Sequence, residues 1–254
     1  MTTLDTELTK TLQKRIVIQG VPGAFHEIAS RYFYKGESIK IVPADTFDDL
    51  IDVTVDSNQA DGALMAIENT ISGSLLYNYQ LLNQSDLHII GEVSLRIRQN
   101  LMVLPGQTIE NITEVYSHPV AIAQCRKFFK QYPHIKLIEA QDTALSAKKV
   151  WDGQMKHAGA IASSLAASMY KLDIIGHSIE TYKSNYTRFL VLSPDESKVK
   201  DFNKVSICFA LPHATGSLSN VLQGLSLNNA NLTKIQSVPL LDSGFQYLFF
   251  VDFL

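Results

Sequence analysis

Four short polar segments stand where apolar runs give way to helical spacing, and they hold most of the side chains able to do chemistry. They are residues 20–25 (GVPGAF), 68–74 (ENTISGS), 117–120 (SHPV) and 163–165 (SSL). A helix N-terminus leaves backbone N–H groups unpaired and carries positive potential, so such segments can hold a carboxylate or a phosphate. Four of them around one cleft suit a small anion, even one with two charged ends. A plainer reading stands beside that one: polar residues before helices are how such helices are capped. The residues alone leave both open. Gly20 and Gly23 form a GxxG without the third glycine of a dinucleotide loop or the Gly-Lys-Ser/Thr of a P-loop. The seven histidines show no metal-ligand spacing, and Cys125 and Cys208 do not join them. No G-x-S-x-G elbow occurs. Thr187 and Arg188 are successive residues of a β-like run. On a strand they point to opposite faces, one to a cleft and the other to a salt bridge. Taken alone, such a pair is ordinarily structural.

The elements that would position these residues follow a repeating order. Apolar runs at 15–19, 62–67, 115–116 and 158–162 precede helical spacing at 25–34, 74–82, 120–129 and 165–170. Strand, polar loop, helix in alternation implies an α/β fold with mostly parallel sheets. Two β-rich stretches, 89–104 and 185–192, break the order and read as crossings between two lobes. The expected organisation is a domain over 14–193, with lobe 1 at about 14–95 and 186–193 and lobe 2 at about 96–185. A charged linker over 194–201 leads to a smaller α+β unit over 204–254. That unit reads as strands at 205–211, 231–239 and 245–253 with a helix at 216–225. It is βαββ, short of a βαββαβ module by a helix and a strand, and is expected to be cut short. Residues 1–13 read as a short helical or frayed lead. The formal net charge of −3 argues against nucleic acid as a partner. No apolar run approaches the roughly 18 residues that cross a bilayer. With no secretory pattern at the start and two distant cysteines, the expected location is the cytoplasm.

In their order and spacing, the stretches GVPGAF (20–25), IENTISG (67–73), YSHPVAIAQC (116–125), DTA (142–144), AIAS (160–163) and NYTRFL (185–190) resemble the prephenate dehydratase family. The resemblance runs from about residue 15 to the end. It implies a two-lobed catalytic domain similar to type II periplasmic binding proteins, then a ferredoxin-like ACT unit, here incomplete. The implied reaction turns prephenate into phenylpyruvate with loss of water and carbon dioxide, in phenylalanine biosynthesis, with no cofactor and no metal. Thr187 matches the family's catalytic threonine, which helps protonate the departing hydroxyl. Glu68, Asn69 and Thr70 match its Glu-Asn-Ser loop, and Ser117 and His118 its Ser-His-Pro loop. Gly23, Ala24, Phe25, Thr143, Ser163 and Arg188 are carried over as substrate-binding, Arg188 as a structural or carboxylate partner. Gly216, Ser217 and Leu218 resemble the effector loop, and Gln236 and Ser237 fall on the effector strand. The implied partners are a small dicarboxylate substrate, an amino-acid effector and further copies of the chain in a homodimer or homotetramer, with neither nucleic acid nor membrane. This chain departs from the pattern at Ala24-Phe25-His26, where Thr-Phe-Ser is usual, and at Gln99, where histidine is frequent. It departs again at Val120, where Gln is usual. Gln236 and Val238 replace an acidic and a basic residue, which weakens the usual phenylalanine response. Arogenate as the substrate, a non-catalytic anion-binding module and a mainly regulatory protein are the rival expectations.

Overall fold

The computed structural model describes residues 13–199, 201–240 and 246–254. Residues 1–12 of the expected lead, Lys200 of the linker and Phe245 of the last strand lie outside them. The chain begins with β1 (Lys14–Gln19), α1 (Phe25–Phe33), β2 (Ile39–Ala44), α2 (Phe47–Val55) and β3 (Gly62–Asn69). It continues through the two-residue β4 (Gly73–Ser74), α3 (Leu76–Gln84) and β5 (His88–Arg96). Next come β6 (Asn100–Val103), β7 (Glu114–Ser117), α4 (Pro119–Phe129), β8 (Lys136–Glu139), α5 (Thr143–Asp152), β9 (Ala158–Ala162), α6 (Ser164–Met169) and β10 (Asp173–Gly176). After β11 (Tyr186–Ser193) and a 3-10 turn, the chain ends in β12 (Val205–Ala210), α7 (Ser217–Leu227), β13 (Leu232–Pro239) and β14 (Tyr247–Phe253).

These strands form three sheets. The first runs β2-β1-β3-β11-β5 with β4 paired to β3, the second β10-β6-β9-β7-β8, and the third β12-β14-β13. β1 is parallel to β2 and β3, but β11 is antiparallel to both β3 and β5. In the second sheet β7 is parallel to β8 and β9, while β6 is antiparallel to β9 and β10. Both sheets are mixed, which corrects the expectation of mostly parallel ones. The reason is the excursion of the chain. It leaves the first sheet along β5, builds the second, and comes back beside β5 as β11, so the returning strand runs opposite to the departing one. The β stretch expected over 89–104 is therefore two strands in two different sheets.

Local chemistry sets the helix starts. Thr46 and Asp49 form a reciprocal capping box at α2, a device that stabilises a helix by about 1 kcal/mol. Pro119 occupies the first turn of α4, where its missing N–H is not needed. Asp142 caps α5 and Ser163 caps α6. The middle of the first sheet is apolar on both faces, with Ala63, Leu64, Met65 and Ile67 of β3 fully buried. The third sheet lies against the first: Val238 and Phe250 join the core that holds Val17, Met65, Tyr79, Leu190 and Leu192. Among the described residues no helix is long and apolar enough to cross a membrane.

Candidate active site

Five helix N-termini converge on one cleft of about 500 Å³, with the N-caps Ala24, Thr46, Leu75, His118 and Asp142 supplying or adjoining its wall. Three of these helices cap themselves with side chains, α2 through Thr46, α4 through His118 and α5 through Asp142. The starts of α1 and α3 have no side-chain cap. Outer N–H groups at such uncapped starts have the geometry and potential to bind an anion.

Thr187 and Asn69 face each other on β11 and β3 and both line the cleft. Asn69 Nδ2 donates to Thr187 Oγ1 at 3.0 Å and to Asn185 Oδ1 at 2.8 Å. Asn69 Oδ1 accepts from the backbone N–H groups of Ile71 and Ser72, each at 2.9 Å. Those two bonds fix which end of the amide is which, and the two Nδ2 hydrogens are shared among Asn185 Oδ1, Tyr186 O at 3.1 Å and Thr187 Oγ1. Towards Asn69 the hydroxyl oxygen can only accept, which leaves its own hydrogen available to a ligand. Asn185 is buried and donates in turn to Gln124 Oε1 at 2.9 Å. The network thus ties β3, the returning crossing and α4 to the Thr187 hydroxyl.

The next pair along the strands, Arg188 and Glu68, is on the opposite face of the sheet. Arg188 pairs with Glu92 at 2.8 Å and with Asp252 of β14 at 2.6 Å. Glu68 accepts from Lys234 of β13 at 2.8 Å. The register between β11 and β3 shifts after Arg188, so Phe189 sits opposite Ala66 and skips Ile67. That bulge turns Ala66 and Phe189 to the cleft while Ile67 stays in the core behind it.

Of the residues carried over from the sequence, Asn69, Thr187, Ala24, Phe25, His118 and Thr143 come together on the cleft wall. Six do not reach it. Glu68 and Arg188 face the third sheet, as described. Thr70 Oγ1 donates to Ser184 O and accepts from Tyr186 N, holding the start of β11. Ser117 is fully buried and donates to Ile161 O. Ser163 donates to Gly23 O at 2.6 Å across the lobes, and the Gly23 N–H is taken by Glu27 at 2.7 Å. Gly23 has a φ of +94°, and a Cβ there would lie 3.0 Å from the Ala166 Cα. Its absent side chain is what lets α6 approach. Of the expected effector residues, Ser217 and Leu218 line a second hollow of about 410 Å³ with Pro212, His213 and Tyr247. Gly216 is the left-handed N-cap of α7, while Gln236 and Ser237 lie on β13 away from that hollow.

The cleft's electrostatics are uneven. No lysine or arginine is found among its described lining residues, whereas Asp48 and Asp142 are. Burial pushes the His26 imidazole down to about 4, so it is neutral near pH 7. Its ring meets Phe189 edge-on at 4.9 Å, and its buried Nε2 has no hydrogen-bond partner among the described residues. Burial pushes the Asp142 carboxyl up, against backbone N–H groups of α5 that pull it down. Gln124, Asn185 and Asp142 were not singled out from the sequence, although each lies within a quoted stretch. No described cluster of His, Cys, Asp and Glu could hold a metal ion.

Two mixed sheets facing a cleft ringed by helix starts, with a three-stranded sheet docked behind, define a two-lobed α/β ligand-binding fold carrying an α+β unit. The model of the prephenate dehydratase family matches residues 16–197. The chain belongs to that family. It is 38% identical to arogenate dehydratase 2 of Petunia hybrida over 96% of this chain and 65% of that protein. It is 35% identical to a bifunctional chorismate mutase/prephenate dehydratase of Aquifex aeolicus, over 95% of this chain and 66% of that one. The chain thus spans about two thirds of the length of these relatives. A solved structure described as a quorum-quenching acylase superposes with a TM-score of 0.84 at 29% identity, covering 94% of this chain and 87% of that one. A prephenate dehydratase of Arthrobacter aurescens in complex with L-Phe gives the same TM-score of 0.84 at 24% identity, over 94% and 80% of the two chains. At that identity the likeness speaks for the fold.

Proposed function

We propose that this chain is a carbon–oxygen lyase that converts prephenate to phenylpyruvate, with Thr187 assisting departure of the ring hydroxyl. The observation that carries this reading is the fixed Asn69 amide donating to Thr187 Oγ1. In the reaction the C–C bond to the ring carboxylate breaks and carbon dioxide leaves. Its electron pair completes the aromatic ring, and the C–O bond at the far side of the ring breaks. The leaving oxygen needs a hydrogen-bond donor and finally a proton, which makes water. A threonine hydroxyl is a weak acid. Its donation to the leaving oxygen strengthens because the Asn69 N–H stabilises the charge that builds on Oγ1. The free N–H groups at the starts of α1 and α3 suit the substrate's carboxylates, and Phe25, Phe47 and Phe189 offer apolar surface for the ring. Aromatisation supplies the driving force, so orientation and proton supply are the protein's tasks.

The rest of the reading follows from the family, and the location from the sparse cysteines. Residues 14–193 form the catalytic domain and 204–254 an ACT-type unit. An amino-acid effector binds beside Ser217 and Leu218, the third sheet pairs copies of the chain into a dimer or tetramer, and the protein works in the cytoplasm. The test is direct. Purified protein incubated with prephenate at neutral pH is expected to release phenylpyruvate, read by its enol absorbance in alkali, far above the spontaneous rate. A rate equal to the protein-free control would refute prephenate as a substrate of this chain.

A further inference from the structure

Prephenate and arogenate differ only in the side chain at C1 of the ring, an α-keto acid in one and an α-amino acid in the other. We propose that Asp142 is the specificity-determining residue of the cleft, its carboxylate receiving the ammonium group of the α-amino acid, so that this chain prefers arogenate. The inference rests on the dehydratase reading and deepens it.

Asp142 uses one oxygen, Oδ1, to cap α5 through the Leu145 N–H at 2.7 Å. The other oxygen, Oδ2, has no ion pair among the described residues, yet it belongs to the cleft wall. Oδ2 lies 3.1 Å from where a Cβ on Gly20 would stand, so a side chain at that point would press on the carboxylate. Half-buried anions without a cation are costly, and burial accordingly raises this carboxyl. The titratable groups around it meet that need only in part. Asp48 is a second anion, held by the Tyr77 hydroxyl at 2.6 Å, and His26 is neutral. His118 and the backbone N–H groups of Leu145, Ala144 and Thr143 draw the Asp142 carboxyl down against burial, but His118 is exposed and caps α4, accepting from Val120 N at 3.3 Å. The cleft therefore has uncapped helix starts for carboxylates and a free carboxylate for an ammonium group. A keto acid answers only the first. It would bring its own carboxylate towards Asp142 with nothing to offset the repulsion.

The placement fits the shape of the substrate. The ring hydroxyl and the side chain are para to each other. Thr187 belongs to the first sheet and Asp142 caps a helix of the second, and both line the cleft. A ring lying between them would present its hydroxyl to one and its side chain to the other.

Asp142→Asn tests this cleanly, because asparagine caps helices as well as aspartate does and only the charge is lost. Specificity constants, kcat/KM, are measured for L-arogenate (as phenylalanine formed) and for prephenate (as phenylpyruvate formed), with wild type and variant. Wild type is expected to favour arogenate by roughly ten-fold or more, the scale of one screened charge–charge contact. In Asp142→Asn the arogenate constant falls and the prephenate constant rises, so the ratio collapses. A wild-type preference for prephenate overturns the assignment. So does an Asn variant that lowers both constants in proportion, which is what a purely structural cap would do. Formation of neither product by wild type overturns the dehydratase reading and this inference together.

Discussion

At the scale of single residues, the Thr187 hydroxyl accepts from Asn69 and keeps its own hydrogen available to a ligand. Asn69 creates that condition by donating to Thr187 while its own oxygen is committed to Ile71 and Ser72. Asn69→Ala is therefore expected to lower kcat by about 10²-fold with little change in KM, the scale of one lost proton-transfer aid. Steady-state kinetics at saturating substrate check it. His26 gives a second prediction, on stability. Its value is about 4 in the fold against an ordinary 6.5, so between those values the unfolded chain binds a proton that the folded one does not. Stability is complete above pH 6.5 and falls as the pH drops towards 4, by up to about 3 kcal/mol. His26→Phe is expected to flatten that part of the profile, read from urea midpoints at pH 7 and 4.5. Thr187, Asn69 and His118 could be picked out in the sequence because they sit in motifs of recognisable order. Gln124 and Asn185 could not, because their importance is a contact between residues 61 apart in the chain.

At the scale of elements, one face of the β3–β11 pair serves the cleft and the other serves the third sheet. Thr187 and Asn69 look one way, Arg188 and Glu68 the other. The sheet behind is thus bonded to the residues immediately beside the proposed catalytic pair. Removing the Arg188 charge leaves Asp252, only 5% exposed, without a cation. Arg188→Met is expected to destabilise by about 3–5 kcal/mol, and Arg188→Met with Asp252→Leu by distinctly less. Denaturant melts of the two variants measure it. Gly23→Ala is expected to cost about 1–3 kcal/mol, since it strains a φ of +94° and presses on Ala166. The recurring strand, loop and helix order was readable because periods of 2 and 3.6 differ plainly. The mixed pairing was not. β5 and β11 look like any apolar runs, and what makes them neighbours is the return of the chain after 89 intervening residues, 97–185. Glu68 and Asn69 read as loop because their side chains are polar. They are strand because β11 pairs with them.

At the scale of the whole molecule, the third sheet shares its core with the first through Val238 and Phe250, while α7 buries no residue. Ile235 on β13 is 47% exposed, between the exposed Thr233 and Ser237 on the same face. Light scattering is expected to give a dimer or larger, and Ile235→Glu to shift it towards monomer. Two lobes and a cleft were foreseeable from the crossings at 89–104 and 185–192. The mutual support of the two units was not, because it depends on ion pairs between distant strands. The central claim remains that a cleft built from both sheets uses the Thr187 hydroxyl to release the ring oxygen. Single-turnover release of carbon dioxide, with wild type, Thr187→Ala and Thr187→Ser on the better of the two substrates, tests it most directly. A loss of about 10²–10⁴-fold is expected for Thr187→Ala with substrate still bound, and substantial recovery for Thr187→Ser. Near wild-type turnover in Thr187→Ala would contradict it.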